Sequence, residues 1–168
     1  RPRDRIHGRN YVVPESIEGH LEAESVEFAY PGQHKIPVIK KVSMTIPAGQ
    51  KVAMLGRVGS GKSTLLRVAH GLLKVSGGQV VRSAELHQAM VFQRPHMMRT
   101  SVLNFVVWGL WIQGTPWREA QTRALEALTR VGLQDMAERS ARTLSGGQQQ
   151  RLALARAWAL EPNFVLLD

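Results

Sequence analysis

Gly56-Arg57-Val58-Gly59-Ser60-Gly61-Lys62-Ser63 stands between a short apolar run, Lys51 to Leu55, and a segment in which Leu65, Leu66, Ala69, Leu72 and Leu73 recur at helical spacing. Strand, glycine-rich loop, helix is the order that a phosphate cradle requires. A polyphosphate carries several negative charges, so its site needs donors that approach closely without steric cost. Glycines at 56, 59 and 61 let backbone N–H groups curl around phosphate oxygens. Lys62 adds a point charge, Ser63 a hydroxyl that can ligate Mg²⁺, and the helix turns its partially positive end toward the anion. A glycine-rich turn that merely precedes a helix is the bland alternative; three elements in register weigh against it.

A second construction of this kind lies downstream. In Leu144-Ser145-Gly146-Gly147-Gln148, a small hydroxyl and bare backbone N–H groups precede a helical segment, Gln148 to Leu160,. Taken by itself, Ser145 is equally a helix N-cap. Pro162 breaks that helix, and Phe164 to Leu167 is a continuous apolar run of the kind buried inside a parallel sheet. Asp168 ends this run, at the strand end where open α/β sheets bind ligands. Together with the upstream loop it is expected to help hold Mg²⁺, a strand-end turn residue being the alternative.

Between these motifs the pattern is ordinary. Leu21 to Ser25 alternates, then the apolar phase slips by one at Val26, Phe28 and Tyr30, which predicts a strand with a bulge ending at Pro31-Gly32. Val42, Met44 and Ile46 alternate with Ser43 and Thr45. With the turn Pro47-Ala48-Gly49 and the run Lys51 to Leu55 they predict a hairpin feeding the glycine-rich loop. Ala89 to Phe92 is a further buried strand. From Arg94 to Thr143 the character is helical, with Thr115-Pro116 as a start signal and Trp117, Gln121, Ala124, Leu128 and Val131 on one face up to Gly132.

The 168 residues, 43% hydrophobic and 21% charged, suit one folded domain,. No cysteine is present, which excludes disulfides and thiolate metal sites,. The longest apolar stretch, Val102 to Ile112, carries Asn104 and Gly109 and falls short of the ~20 residues of a spanning helix. Of the net charge of +9, most gathers around the loop, since residues 31 to 100 contain eleven Lys and Arg against Glu85 alone. Polyphosphate or anionic headgroups account for that excess as well as nucleic acid does, and no nucleic-acid module accompanies it, so no nucleic-acid partner is expected.

Taken in this order, Gly56 to Ser63 and Leu144 to Gln148 resemble the nucleotide-binding domain of ABC-family ATPases, over about Leu21 to Asp168. The resemblance implies an α/β fold of the P-loop NTPase type: a three-layer sandwich with a mainly parallel sheet, an antiparallel N-terminal β portion and a helical insert. Residues 21–93 and 144–168 would form the core, 94–143 the insert, and 1–20 a linker. The implied cofactors are ATP and Mg²⁺. Tyr30 resembles the family's adenine-stacking aromatic, and Gly56, Gly59, Ser60, Gly61, Lys62, Ser63 and Thr64 would take the phosphates. Ser145, Gly146, Gly147 and Gln148 would engage the γ-phosphate held by a second subunit in a head-to-tail dimer. Gln93, in Val91-Phe-Gln-Arg-Pro95, resembles the glutamine that contacts metal and attacking water, so Ser63, Gln93 and Asp168 form the expected metal set. Without the family, a Tyr before a turn and a strand-end Gln are ordinary residues.

The family's catalytic glutamate directly follows the Walker B aspartate, and its switch histidine lies further on. Residues 1 to 168 contain neither, so the chain reads as a domain truncated at Walker B, able to bind nucleotide but not to hydrolyse it. The implied function is that of an ATP-binding subunit or domain of an ABC transporter, peripheral on the cytoplasmic side of the membrane and partnered by a transmembrane permease. Tyr11 to His20, Tyr30-Pro-Gly32 and Leu55 to Lys62 look like an exporter of the type I secretion class. From His70-Gly-Leu-Leu73 onward the chain is similar to oxyanion importers, notably tungstate-like ones. Import of a small anion is the expectation; export, or a soluble ABC ATPase of DNA repair or translation, are the alternatives.

Overall fold

The computed structural model describes residues 20–32, 36–83 and 86–168. Residues 1 to 19, with most of the proposed linker and of the exporter-like approach, lie outside the described residues. Strand β1 (Leu21–Phe28) runs between β2 (Ile39–Ile46) and β3 (Gly77–Arg82), antiparallel to both. The predicted phase slip is a bulge. Register shifts on both sides of β1 fall between Ala23 and Phe28, and Ser25 adopts φ 46° there. Its displaced N–H donates to Ser43 Oγ of β2 at 2.8 Å, so the bulge leaves that donor satisfied,. Gly78 of β3 lies against this bulge at φ 73°, and a Cβ there would run into the carbonyl oxygens of Glu24 and Ser25.

Helix α1 (Lys62–His70) follows the glycine-rich loop and ends at Gly71, whose φ of 93° closes its C-terminus,. Leu72, expected on the helix, therefore lies beyond it and is exposed. Val68 packs with Ala23, Val26, Phe28 and Ile39 in one small core. Beyond β3, β4 (Gln88–Val91) pairs in parallel with β5 (Phe164–Leu167), residue for residue from Gln88↔Phe164 to Val91↔Leu167.

The second and larger core belongs to the helices α2 (Val102–Ile112), α3 (Trp117–Arg130) and α4 (Gly146–Ala159). Val102, Phe105, Val106, Leu110, Ala124, Leu128, Leu133, Leu152 and Ala155 fill it. Ser101 caps α2, and two of the first N–H groups find the carbonyls of Ala137 and Arg139,. The buried stripe of α3 is Ala120, Ala124, Ala127 and Leu128 rather than one starting at Trp117. Trp117 instead meets Trp108 and Trp111 edge to face, with centroids 6.5 Å away from each. Among the described residues no helix is long and apolar enough to cross a membrane.

Three segments differ from the expected strand pattern. Lys51 to Leu55 is not a strand: no ladder includes it, and Val52 and Leu55 are 54% and 95% exposed. A strand exists only where a neighbour takes its hydrogen bonds, and none of the described strands pairs with it,. β5 is parallel as expected but pairs on one edge only, leaving Leu167 65% exposed and Leu166 as its buried residue. β3, whose Gly77-Gly78 opening conceals a strand, was not anticipated from the pattern.

Candidate phosphate and metal site

The glycine-rich loop delivers its residues to the N-terminus of α1. Ser60 N–H donates to Arg57 carbonyl at 3.1 Å, and Gly59 and Gly61 take φ 82° and 89°, left-handed values that a side chain would strain,. Leu65 N–H returns to Gly61 carbonyl at 2.8 Å, starting the helix. Lys62 Nζ lies over the loop, donating to the carbonyls of Gly56 at 2.8 Å and Arg57 at 2.9 Å. The ammonium is thus held at the mouth of the loop by neutral acceptors, which an anionic oxygen can outcompete.

One turn of α1 meets the end of β5. Ser63 Oγ donates to Asp168 Oδ1 at 2.5 Å, and Arg67 Nη2 lies 3.6 Å from Asp168 Oδ2. Asp168 N–H continues the ladder onto Val91 carbonyl at 2.9 Å, so its backbone is fixed by β4 while its carboxylate faces α1. Because β4 and β5 are parallel and in register, Gln93, two residues past β4, emerges at this same carboxyl edge. Gln93 carbonyl accepts from Gln150 Nε2 of α4 at 3.4 Å.

These donors suit a hard cation. Ser63 and Asp168 offer oxygen at one spot, and among the described residues no trio of His, Cys, Asp or Glu gathers to form a metal cage. Magnesium needs no such cage, since it keeps waters and takes much of its shell from phosphate oxygens. Tyr30 sits beside the loop helix. Its hydroxyl is 3.3 Å from Thr64 Oγ1, its ring meets Phe28 edge-on at 5.0 Å, and it is only partly covered.

The Ser145 motif has a different setting. Ser145 and Gln148 form a capping box at the start of α4: Ser145 Oγ accepts from Gln148 N–H at 3.4 Å, and Gln148 Oε1 accepts from Ser145 N–H at 2.9 Å,. The N-cap reading of Ser145 therefore holds. α4 packs on α2, α3 and β4, with the hydrogen bonds of Ser145 and Gln148 staying on the helical side of the molecule. Arg67 and Gln150 were not singled out from sequence. The spacing of Ser63 and Arg67, four apart on one helix face, was the available signal for the first. A small polar hollow lined by His87, Gln88, Gln113 and Pro162 lies by the opposite end of β4 and takes no part in this site.

Known proteins resemble this chain in sequence and in fold. The sequence model of the family described as ABC transporter matches residues 39–168. The energy-coupling factor transporter ATP-binding protein EcfA1 of Enterococcus faecalis is 38% identical over 161 residues, covering 88% of this chain and 58% of that protein. The taurine import ATP-binding protein TauB of Pseudomonas aeruginosa is 40% identical over 154 residues, again covering 88% and 58%. A solved inward-facing putative metal-chelate type ABC transporter superposes with a TM-score of 0.77 at 29% identity, over 90% of this chain and 60% of that one. The chain thus spans about three fifths of the length of these relatives, and shares with them a P-loop fold combining antiparallel N-terminal strands with a parallel pair. By its sequence and by the fold that carries the Lys62 loop, the chain belongs to the ABC transporter family.

Proposed function

We propose that the chain is the ATP-binding part of an ABC importer, with residues 21–93 and 144–168 as nucleotide-binding core and 94–143 as helical insert. The observation that carries this reading is the junction of loop, helix and strand end: Lys62 over the Gly56–Gly61 loop, and Ser63 hydrogen-bonded to Asp168. Lys62 exchanges two neutral carbonyl acceptors for phosphate oxygens, while N–H groups of Gly59, Ser60 and Gly61 and the N-terminus of α1 take the remaining charge. Thr64 is held by Tyr30, whose exposed ring face offers the adenine a stacking surface,. Ser63, Asp168 and Gln93 would hold Mg²⁺, which would supply positive charge against the phosphate chain.

Ser145, Gly146, Gly147 and Gln148, which start α4 with a capping box, act on the nucleotide of a second subunit. The transmembrane partner is a permease, which places the chain on the cytoplasmic face of the membrane. The relative named for taurine import supports import over export.

Lys62→Ala tests the site. The variant is expected to lose ~2 kcal/mol of MgATP affinity, about thirtyfold, the worth of a hydrogen bond to a charged group. Calorimetric titration at fixed salt measures it, with phosphate release followed on the same samples. Superimposable titrations of the two proteins would remove the loop from the site.

A further inference from the structure

Arg67 carries no role in the reading above, yet it completes the grip on Asp168. Ser63 and Arg67 are four apart on α1, on one face and one turn apart,. From that face they take opposite oxygens of a carboxylate that lies far along the chain: Ser63 Oγ meets Oδ1 at 2.5 Å and Arg67 Nη2 lies 3.6 Å from Oδ2. The carboxylate is 12% exposed and its backbone is anchored on Val91, so the two contacts leave it one orientation.

That orientation matters for Ser63. A serine hydroxyl has one proton and two lone pairs. With the proton committed to Asp168 Oδ1, the lone pairs are free to face the phosphate side of the helix. A carboxylate held at one oxygen only could rotate and release that proton, and Ser63 would then lose its preferred direction. The Arg67 guanidinium meets Oδ2 of the carboxylate and Ser63 meets Oδ1, so the charge lies on the other oxygen from the one beside Ser63. This placement favours a supporting role over competition for the metal.

We propose that Arg67 is a positioning residue for magnesium, acting through Asp168 to aim the Ser63 hydroxyl. This rests on the assignment of Ser63 and Asp168 to the metal, and partners that orient a ligand from behind govern affinity by about tenfold or more. The test measures binding of a fluorescent ATP analogue to the whole chain in EDTA and again in Mg²⁺. The quantity read is the ratio of the two dissociation constants.

Arg67→Gln is expected to bind as the wild type does in EDTA but to lose about tenfold of the tightening that Mg²⁺ brings. Arg67→Lys, which keeps charge without the planar fork, should recover part of it. In a Ser63→Ala background, Arg67→Gln should have no further effect. A wild-type Mg²⁺ ratio in Arg67→Gln, or a larger one, overturns the proposal. So does an equal loss with and without metal, which would make Arg67 a residue of general stability. Failure of the underlying site reading looks different, because Lys62→Ala would then match the wild type in both buffers.

Discussion

Gly78 shows how one residue can set the joint between two strands. β1 bulges at Ser25, and β3 follows only by bringing a backbone without Cβ against the carbonyls of Glu24 and Ser25. Gly78→Ala meets both a left-handed φ of 73° and a collision with backbone, so it should destabilise the protein by ~2 kcal/mol or more,. Gly114→Ala is the control, since φ is 93° there but nothing lies within 4 Å, and its cost should be about 1 kcal/mol,. Urea midpoints of the two variants at one pH would compare them. Equal shifts would show that the Glu24 and Ser25 carbonyls yield to a methyl group without cost.

At the scale of elements, α1 is tied at both ends. Its N-terminus carries the loop and the Asp168 contact, while its C-terminal carbonyls, Val68 and Ala69, accept from the Arg82 guanidinium of β3 at 2.9 Å each. His70 carbonyl accepts from Gln88 Nε2 of β4 at 2.6 Å. Burial, and then the nearby Arg82 charge, hold the His70 imidazole below its ordinary value of 6.5. In the window between the lowered value and 6.5 the unfolded chain binds more protons than the folded one. This contribution to stability is therefore intact above 6.5 and lost progressively as pH falls below it. His70→Gln should flatten the fall of the urea midpoint between pH 7.5 and a lower pH in that window. An unchanged slope in the variant would exclude His70 as its source.

For the whole molecule, α1 stands where the two sheets meet, receiving Arg82 from the antiparallel sheet and Gln88 and Asp168 from the parallel pair. The Ser145 cap belongs to the helical core instead, and Gln150 ties that core to the Gln93 carbonyl. In the head-to-tail dimer proposed above, Ser145 of one subunit completes the Lys62 site of another. Mixing Ser145→Arg with Lys62→Ala chains should leave one intact composite site per heterodimer. Nucleotide trapping by the mixture should then exceed that of either parent, and a mixture no better than its parents would refute the shared site.

What the sequence determined by itself was local. The left-handed glycines of the loop, the helix behind them, the Ser145 cap and the phase slip in β1 are each set by residues within a turn or a strand of one another. Tyr30 and Gln93 were legible only through resemblance, because a lone aromatic or amide has no pattern of its own. Tertiary structure alone decided which strands have neighbours. It made a strand of Gly77 to Arg82, where β1 takes the hydrogen bonds, and left Lys51 to Leu55 without a ladder. It also brought Arg67 to Asp168, since pairing charges this far apart in the chain depends on β5 ending beneath α1, a placement that no local spacing encodes.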